Sequence, residues 1–244
     1  MQIALTFDNL GEAADLDRGL WPADAPLGRH PSVTTVLPRL LQELDDLGLR
    51  ATFCVEALNC ELYPEAVAGI AARGHELAMH AWRHEAWGDL GAGREDELLG
   101  RGRAAFGALG LDIRGFRPPG GSLTAASPAL LARHGFTWVS ALGARRQRDG
   151  ALARVPFAWG LVDAYYRLDT FAARRRELGD PVPALRPAET ATALLERLAA
   201  GDTPTLILHP FLMRDSDGWA AARTVLRGLA GHPVATAGEI AAAL

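Results

Sequence analysis

The sequence predicts an α/β fold in which strands and helices alternate around a closed or nearly closed β/α barrel. Three observations carry this expectation. Short apolar runs rich in β-branched or aromatic residues recur along the 244 residues, and amphipathic stretches of helical period lie between them. The count of such pairs suits a barrel, and no Gly-rich fingerprint follows the first run, as an open dinucleotide-binding sheet would have. A composition of 49% hydrophobic and 22% charged residues, with mean hydropathy +0.03, supplies a full core, and residues 1–244 are read as one domain.

In chain order, strands are expected at 2–7, 51–55, 76–79, 115–117, 136–141, 152–157, 205–209 and 234–236. Between the first two, residues 33–47 place Val36, Leu37, Leu40, Leu41, Leu44 and Leu47 on one helical face. Residues 63–73, 94–109, 124–134, 187–200 and 216–229 follow the same logic. In the third of these, Ser127-Pro128 reads as an N-cap followed by proline at the first helical position. Residues 145–150 and 174–187 read as excursions. One holds Arg145, Arg146 and Arg148, the other Arg174, Arg175 and Arg176; these read as solvated loop charges, with an anion site as the alternative.

Twenty-five basic against 29 acidic residues give a net charge of −4, so the basic footprint of a nucleic-acid binder is missing. All 25 are arginine. Without lysine, Schiff-base, P-loop and protein-kinase chemistries are excluded. Cys54 and Cys60, spaced C-x5-C, form neither a redox pair nor a zinc knuckle and read as two free thiols in a reducing compartment. The first apolar run has no basic residue before it and is cut short by Asp8, unlike a signal peptide, and no window reaches the roughly 20 apolar residues of a membrane span. The expectation is a cytoplasmic protein with neither nucleic-acid nor membrane partners.

Barrels carry their chemistry at the C-terminal ends of strands. Those ends read Thr6-Phe7-Asp8-Asn9, His80-Ala81-Trp82-Arg83-His84, Phe116-Arg117-Pro118-Pro119-Gly120-Gly121 and Leu208-His209-Pro210-Phe211. Each has a plainer reading: Asp8 as a cap, His209 as a core histidine, Arg117-Pro118-Pro119 as a stiff turn. His80 and His84, four apart, would share one face of a helical turn at a metal-chelating separation. Four strand ends all bearing catalytic residue types argue for a site.

These segments, from Leu5 to Ile240, resemble the NodB-homology polysaccharide deacetylases, carbohydrate esterase family four. Thr6-Phe7-Asp8-Asn9 is similar to the family's T-F-D-D, and Gly74-His75-Glu76-Leu77-Ala78-Met79-His80-Ala81-Trp82-Arg83-His84 to its G-H-E-I-x-x-H-[ST]-x-x-H. Gly115-Phe116-Arg117-Pro118-Pro119-Gly120 is similar to F-R-x-P-[YFG], and Leu206-Ile207-Leu208-His209 to L-x-H. Residues 156–166 with His209-Pro210-Phe211 resemble the cytoplasmic peptidoglycan-deacetylase and allantoinase-like branch. The resemblance implies a single distorted (β/α)7 barrel and a metal-dependent amide hydrolase. A divalent metal, zinc in most of the family, would be held by Asn9, His80 and His84. Asp8 would be the general base, Arg117 its tether, the Gly120 N–H an oxyanion donor and His209 the general acid.

Two departures stand out. Asn9 replaces a ligand aspartate, an amide oxygen without charge, for which Glu12 or Asp15 are candidate substitutes; a metal-depleted mechanism is the alternative. No aspartate after Trp138 matches the family's brace for the arginine, and Asp163 is the nearest candidate. Trp138, Trp159, Asp163 and Tyr165 are the expected substrate-binding side chains. The expected substrate is an N-acylated amino sugar or smaller amide, with a homo-oligomer compatible; an allantoinase-like ring-opening hydrolase and a non-catalytic sugar-binding barrel are the rivals.

Overall fold

A computed structural model describes residues 2–200 and 205–244. Nine strands form one sheet: β1 Ile3–Asp8, β2 Thr52–Val55, β3 Glu76–Met79, β4 Gly115–Phe116, β5 Trp138–Val139, β6 Gln147–Asp149, β7 Leu152–Arg154, β8 Thr205–Leu208 and β9 Val234–Ala235. The helices are α1 Ala13–Asp17, α2 Leu37–Asp46, α3 Asn59–Leu62, α4 Pro64–Ala72, α5 Ala92–Ala108, α6 Ser127–Arg133, α7 Asp163–Arg167, α8 Ala172–Leu178, α9 Pro187–Ala199, α10 Ser216–Gly228 and α11 Ala237–Ala242. Among the described residues no helix is long and apolar enough to cross a membrane.

The order is β6-β7-β5-β4-β3-β2-β1-β8, with β9 added to β1, and every pairing is parallel except the β6–β7 hairpin. Seven of the eight parallel strands, β9 being the one off the path, therefore curl as the barrel reading expects. The ring stays open between β7 and β8, where Val162 makes a single parallel bridge to Ile207. The expected excursion at 145–150 contains β6; Asp149-Gly150, with Gly150 at φ +58°, is the hairpin signal that marks it.

Strand alternation sorts the side chains. On β1, Ile3, Leu5 and Phe7 join the cluster under the helices, while Ala4 joins an inner cluster with Cys54, Ala78, Trp138, Ala153 and Ala235. Small inward residues leave the narrow interior to a few large ones. Trp138 is the largest of these, and Gly115 on the neighbouring strand makes room for it: a Cβ there would lie 1.9 Å from the indole. The expected Ser127 cap is corrected. Thr124 Oγ1 takes the Ala126 and Ser127 amides instead, while the Ser127 hydroxyl donates to buried Glu95 and accepts from Trp87 Nε1 at 3.1 Å.

Candidate active site

Parallel register brings the strand ends together. The first residue past each strand bonds to its neighbour strand: His80 N to Val55 O, Arg117 N to Met79 O and Ser140 N to Phe116 O, each at 2.9 Å. Their side chains meet the inward residues of β1. Arg117 Nη1 donates to Asp8 Oδ1 at 2.6 Å and to Thr6 Oγ1 at 2.8 Å, while Nε and Nη2 reach Ser140 Oγ at 3.3 and 3.0 Å. Arg117 is thus fixed along its whole fork, and it is 1% exposed. Ser140, not Asp163, braces it. Its signal in the sequence is two-residue alternation with inward Trp138 on β5.

The same alternation explains why Trp138 is no substrate ligand. It points inward two residues below Ser140, toward the closed end, where its Nε1 donates to Glu76 Oε1 at 3.1 Å. Glu76 also accepts from Thr52 Oγ1 and from the Gly238 amide, so the pair plugs the barrel base. Tyr165 is corrected too. Its ring is fully buried behind the pocket wall, with its hydroxyl on Asp180 at 2.7 Å. Trp159 does line the pocket, edge to face with Phe157 and tilted against Phe171.

The pocket at the strand ends is an open cleft of about 730 Å³, the solvent space at its mouth included. Asp8, Asn9, His80, His84, Arg117, Gly120 and His209 all line it, so the candidate catalytic and metal-binding residues converge as expected. A wall of Phe157, Trp159, Leu168, Phe171 and Phe211 lines the rest of it, with Phe211 edge-on against His209 and Phe157 under the Arg117 guanidinium. Buried Arg175 holds this wall: it donates to the carbonyls of Tyr165, Leu168 and Val182. Neither arginine cluster reaches the pocket. Arg174 pairs with Glu177, Arg146 binds Gln2 O and Arg148 binds Ala241 O, so neither cluster adds charge to this pocket.

Asn9 (φ +58°), Ala81 (φ +60°) and His84 (φ +82°) are the non-glycine residues in the left-handed region among those described. Such conformations cost on the order of 1–3 kcal/mol and gather at functional sites. They also correct the expected helical turn. Residues 80–86 form an irregular loop in which the Glu85 carboxylate accepts the Trp82 and Arg83 amides, yet the His80 and His84 rings still meet edge to face at 5.0 Å.

Charge states follow from these partners. Burial alone would raise the Asp8 carboxyl, but Arg117, with His80 and His209, holds it below the usual carboxylate range. His80 is pushed down to about 4 because burial outweighs the attraction of Asp8. Its Nδ1 donates to Arg117 O at 2.8 Å, which leaves the Nε2 lone pair facing the site, 3.9 Å from Asp8 Oδ2. Burial also keeps His84 neutral, with His80 and Arg18 adding to the effect. Arg18 Nη2 lies 3.4 Å from His84 Nδ1, and since guanidinium only donates, the His84 proton rests on Nε2.

Asp163 has a different role from both expected ones. Its Oδ1 accepts from His209 Nδ1 at 2.5 Å and its Oδ2 from the His209 amide at 2.8 Å. Burial works against a charged His209 ring, but Asp163, helped by Asp8, raises it above the ordinary imidazole range. Glu12 is excluded as a substitute ligand: it is buried away from the pocket, accepting from Tyr63 Oη and the Gly28 amide. Asp15 does not line the pocket either.

The comparisons with known proteins bear on the family and the fold. A family model described as polysaccharide deacetylase matches residues 2–139. A Mycobacterium smegmatis protein described as a polysaccharide deacetylase is 26% identical, with a TM-score of 0.80 over 99% of this chain and 89% of its own. An allantoinase superposes at 0.74 with 14% identity over 98% of this chain and 88% of its own. A family 4 carbohydrate esterase from Streptomyces lividans, in complex with acetate, gives 0.59 with 18% identity over 96% and 91%. These last two share the fold. No curated protein matches the sequence.

Proposed function

The chain belongs to the polysaccharide deacetylase family, which makes it a hydrolase of carbon–nitrogen amide bonds, and from that premise we propose that it is a metal-dependent N-deacetylase of a soluble amino sugar or smaller N-acyl amine. The observation that carries the reading is one pocket holding two buried groups poised in opposite protonation states. Arg117 keeps Asp8 ionised and able to accept a proton, and Asp163 keeps His209 protonated and able to give one. A non-catalytic sugar binder has no use for that contrast.

The donors present fit a divalent ion such as zinc. Asn9 Oδ1 is buried without a hydrogen-bond partner, and neutral His80 offers Nε2. His84 completes the set only after Arg18 leaves its Nδ1: a neutral ring with that nitrogen taken keeps its proton on the other. When bound, the ion would acidify water and polarise the acyl carbonyl. Asp8 Oδ2, its partner oxygen being tied to Arg117, accepts the proton of the attacking water. His209 Nε2, with Nδ1 held by Asp163, delivers a proton to the leaving nitrogen. The backbone amide of Gly120, at the pocket edge, is the donor available to the oxyanion.

The test is release of free amine and acetate from N-acetylglucosamine and its short oligomers, with chelator-treated protein before and after zinc. Amine release restored by zinc is expected. Equal release without any divalent ion removes the metal from the reading, and no release under any condition removes the deacetylase.

A further inference from the structure

We propose that the substrate of this site carries a carboxylate close to its N-acyl group, and that Arg18 is the residue that binds it; this rests on the amide-hydrolase reading above. The first support is the charge inventory of the pocket wall. Asp8 is neutralised by Arg117 at 2.6 Å, and protonated His209 by Asp163 at 2.5 Å. His80 is committed through Nδ1 to the Arg117 carbonyl at 2.8 Å. Arg18 is the charge left over. Among the described residues no carboxylate oxygen lies within 4.0 Å of its guanidinium, whose one side-chain hydrogen bond is the long contact to His84 Nδ1 at 3.4 Å.

The second support is position. Arg18 closes α1, its amide on Ala14 O at 3.2 Å, and Gly19 at φ +66° turns the chain away behind it. The side chain lines both the catalytic pocket and a groove that leads outward past Asp17, Asp89 and Ser122; His84 and Gly120 are shared by both cavities. Arg18 therefore stands at the junction of the two cavities, where a substituent of a substrate bound at the catalytic residues leaves the pocket.

The neighbours also select the anion. Asp17 and Asp89 on the groove wall repel a doubly charged phosphate more than a singly charged group, and the planar guanidinium matches a carboxylate fork. Moving Arg18 onto a substrate carboxylate takes it off His84 Nδ1. Binding of such a substrate thus frees the imidazole that the resting arrangement occupies.

Two matched pairs test this: N-acetylglucosamine against its 3-O-lactyl ether, N-acetylmuramic acid, whose carboxylate adjoins the N-acyl carbon, and N-acetylphenylalanine amide against N-acetylphenylalanine. Affinity is measured by calorimetry on chelator-treated protein, and amine release on zinc-loaded protein. In at least one pair the acid is expected to bind about 10-fold more tightly, with a preference that shrinks as salt rises. Arg18→Gln should bring the pair within about 2-fold and Arg18→Lys should keep part of the difference, while N-acetylglucosamine 6-phosphate gains nothing. Folding of the variants is checked by thermal midpoint. Equal affinities within both wild-type pairs, or a preference that survives Arg18→Gln, overturns the proposal. An acid preference in binding without amine release overturns the hydrolase reading alone, and amine release without any acid preference overturns the Arg18 assignment alone.

Discussion

Asp163 grips His209 at two points, its Oδ1 on the imidazole Nδ1 and its Oδ2 on the backbone amide. The contact fixes the ring, fixes its tautomer and holds its proton. Val162, just before Asp163, bridges Ile207, two residues before His209, so the β-bridge brings the two segments side by side and Asp163 reaches one residue further along to His209.

This relation predicts a pH effect. His209 has a raised pKa and must be protonated to donate, so activity is lost as pH rises through that value. Asp163→Asn removes the raising charge, and the alkaline limb of the kcat profile should move to lower pH while the acid limb stays. Unchanged limbs would mean that His209 is not the acid. The variant should also lose on the order of 10²-fold or more at pH 8.

Asp8→Asn should cost on the order of 10²–10⁴-fold in turnover while keeping zinc, because the amide cannot take the proton. It has a second effect. Arg117 loses its buried countercharge, and breaking such a pair costs about 3–5 kcal/mol, so the thermal midpoint should fall as well. Assays well below the new midpoint separate the two losses. A variant that loses zinc but works normally once resupplied would make Asp8 a ligand.

Zinc affinity should respond to charge around Asn9. Asn9→Asp adds a negative donor and Arg18→Gln removes both a nearby cation and the competitor for His84, so each should tighten zinc about 10-fold or more in calorimetric titration. His80→Ala should weaken it by at least as much. Equal affinity in all three would place the ion elsewhere.

Trp138→Phe should leave kcat and KM unchanged and lower stability by about 1–3 kcal/mol, since buried Glu76 loses a donor at the barrel base. A changed KM with an unchanged midpoint would put the indole in the pocket after all.

The sequence by itself determined the parts whose signal is local. Strand and helix periods repeat every two or 3.6 residues, so β1, β2, β3 and β8 and the long helices α2, α5, α9 and α10 are legible to within a few residues, as are the strand-end residues Asp8, His80, Arg117 and His209. The short helices α3, α7 and α8 carry too few turns for a period to show. Tertiary structure decided every pairing across the barrel. Arg117 meets Asp8 across 109 residues, Ser140 rather than an acid completes its cradle, and Asp163 serves His209 across 46 residues rather than the substrate. It also decided that Trp138 points to the base and Arg18 into the mouth. Those outcomes depend on which strands neighbour one another and in what register, and a one-residue shift in register turns an inward side chain outward. A local period does not contain that choice; the packing of the curled sheet does.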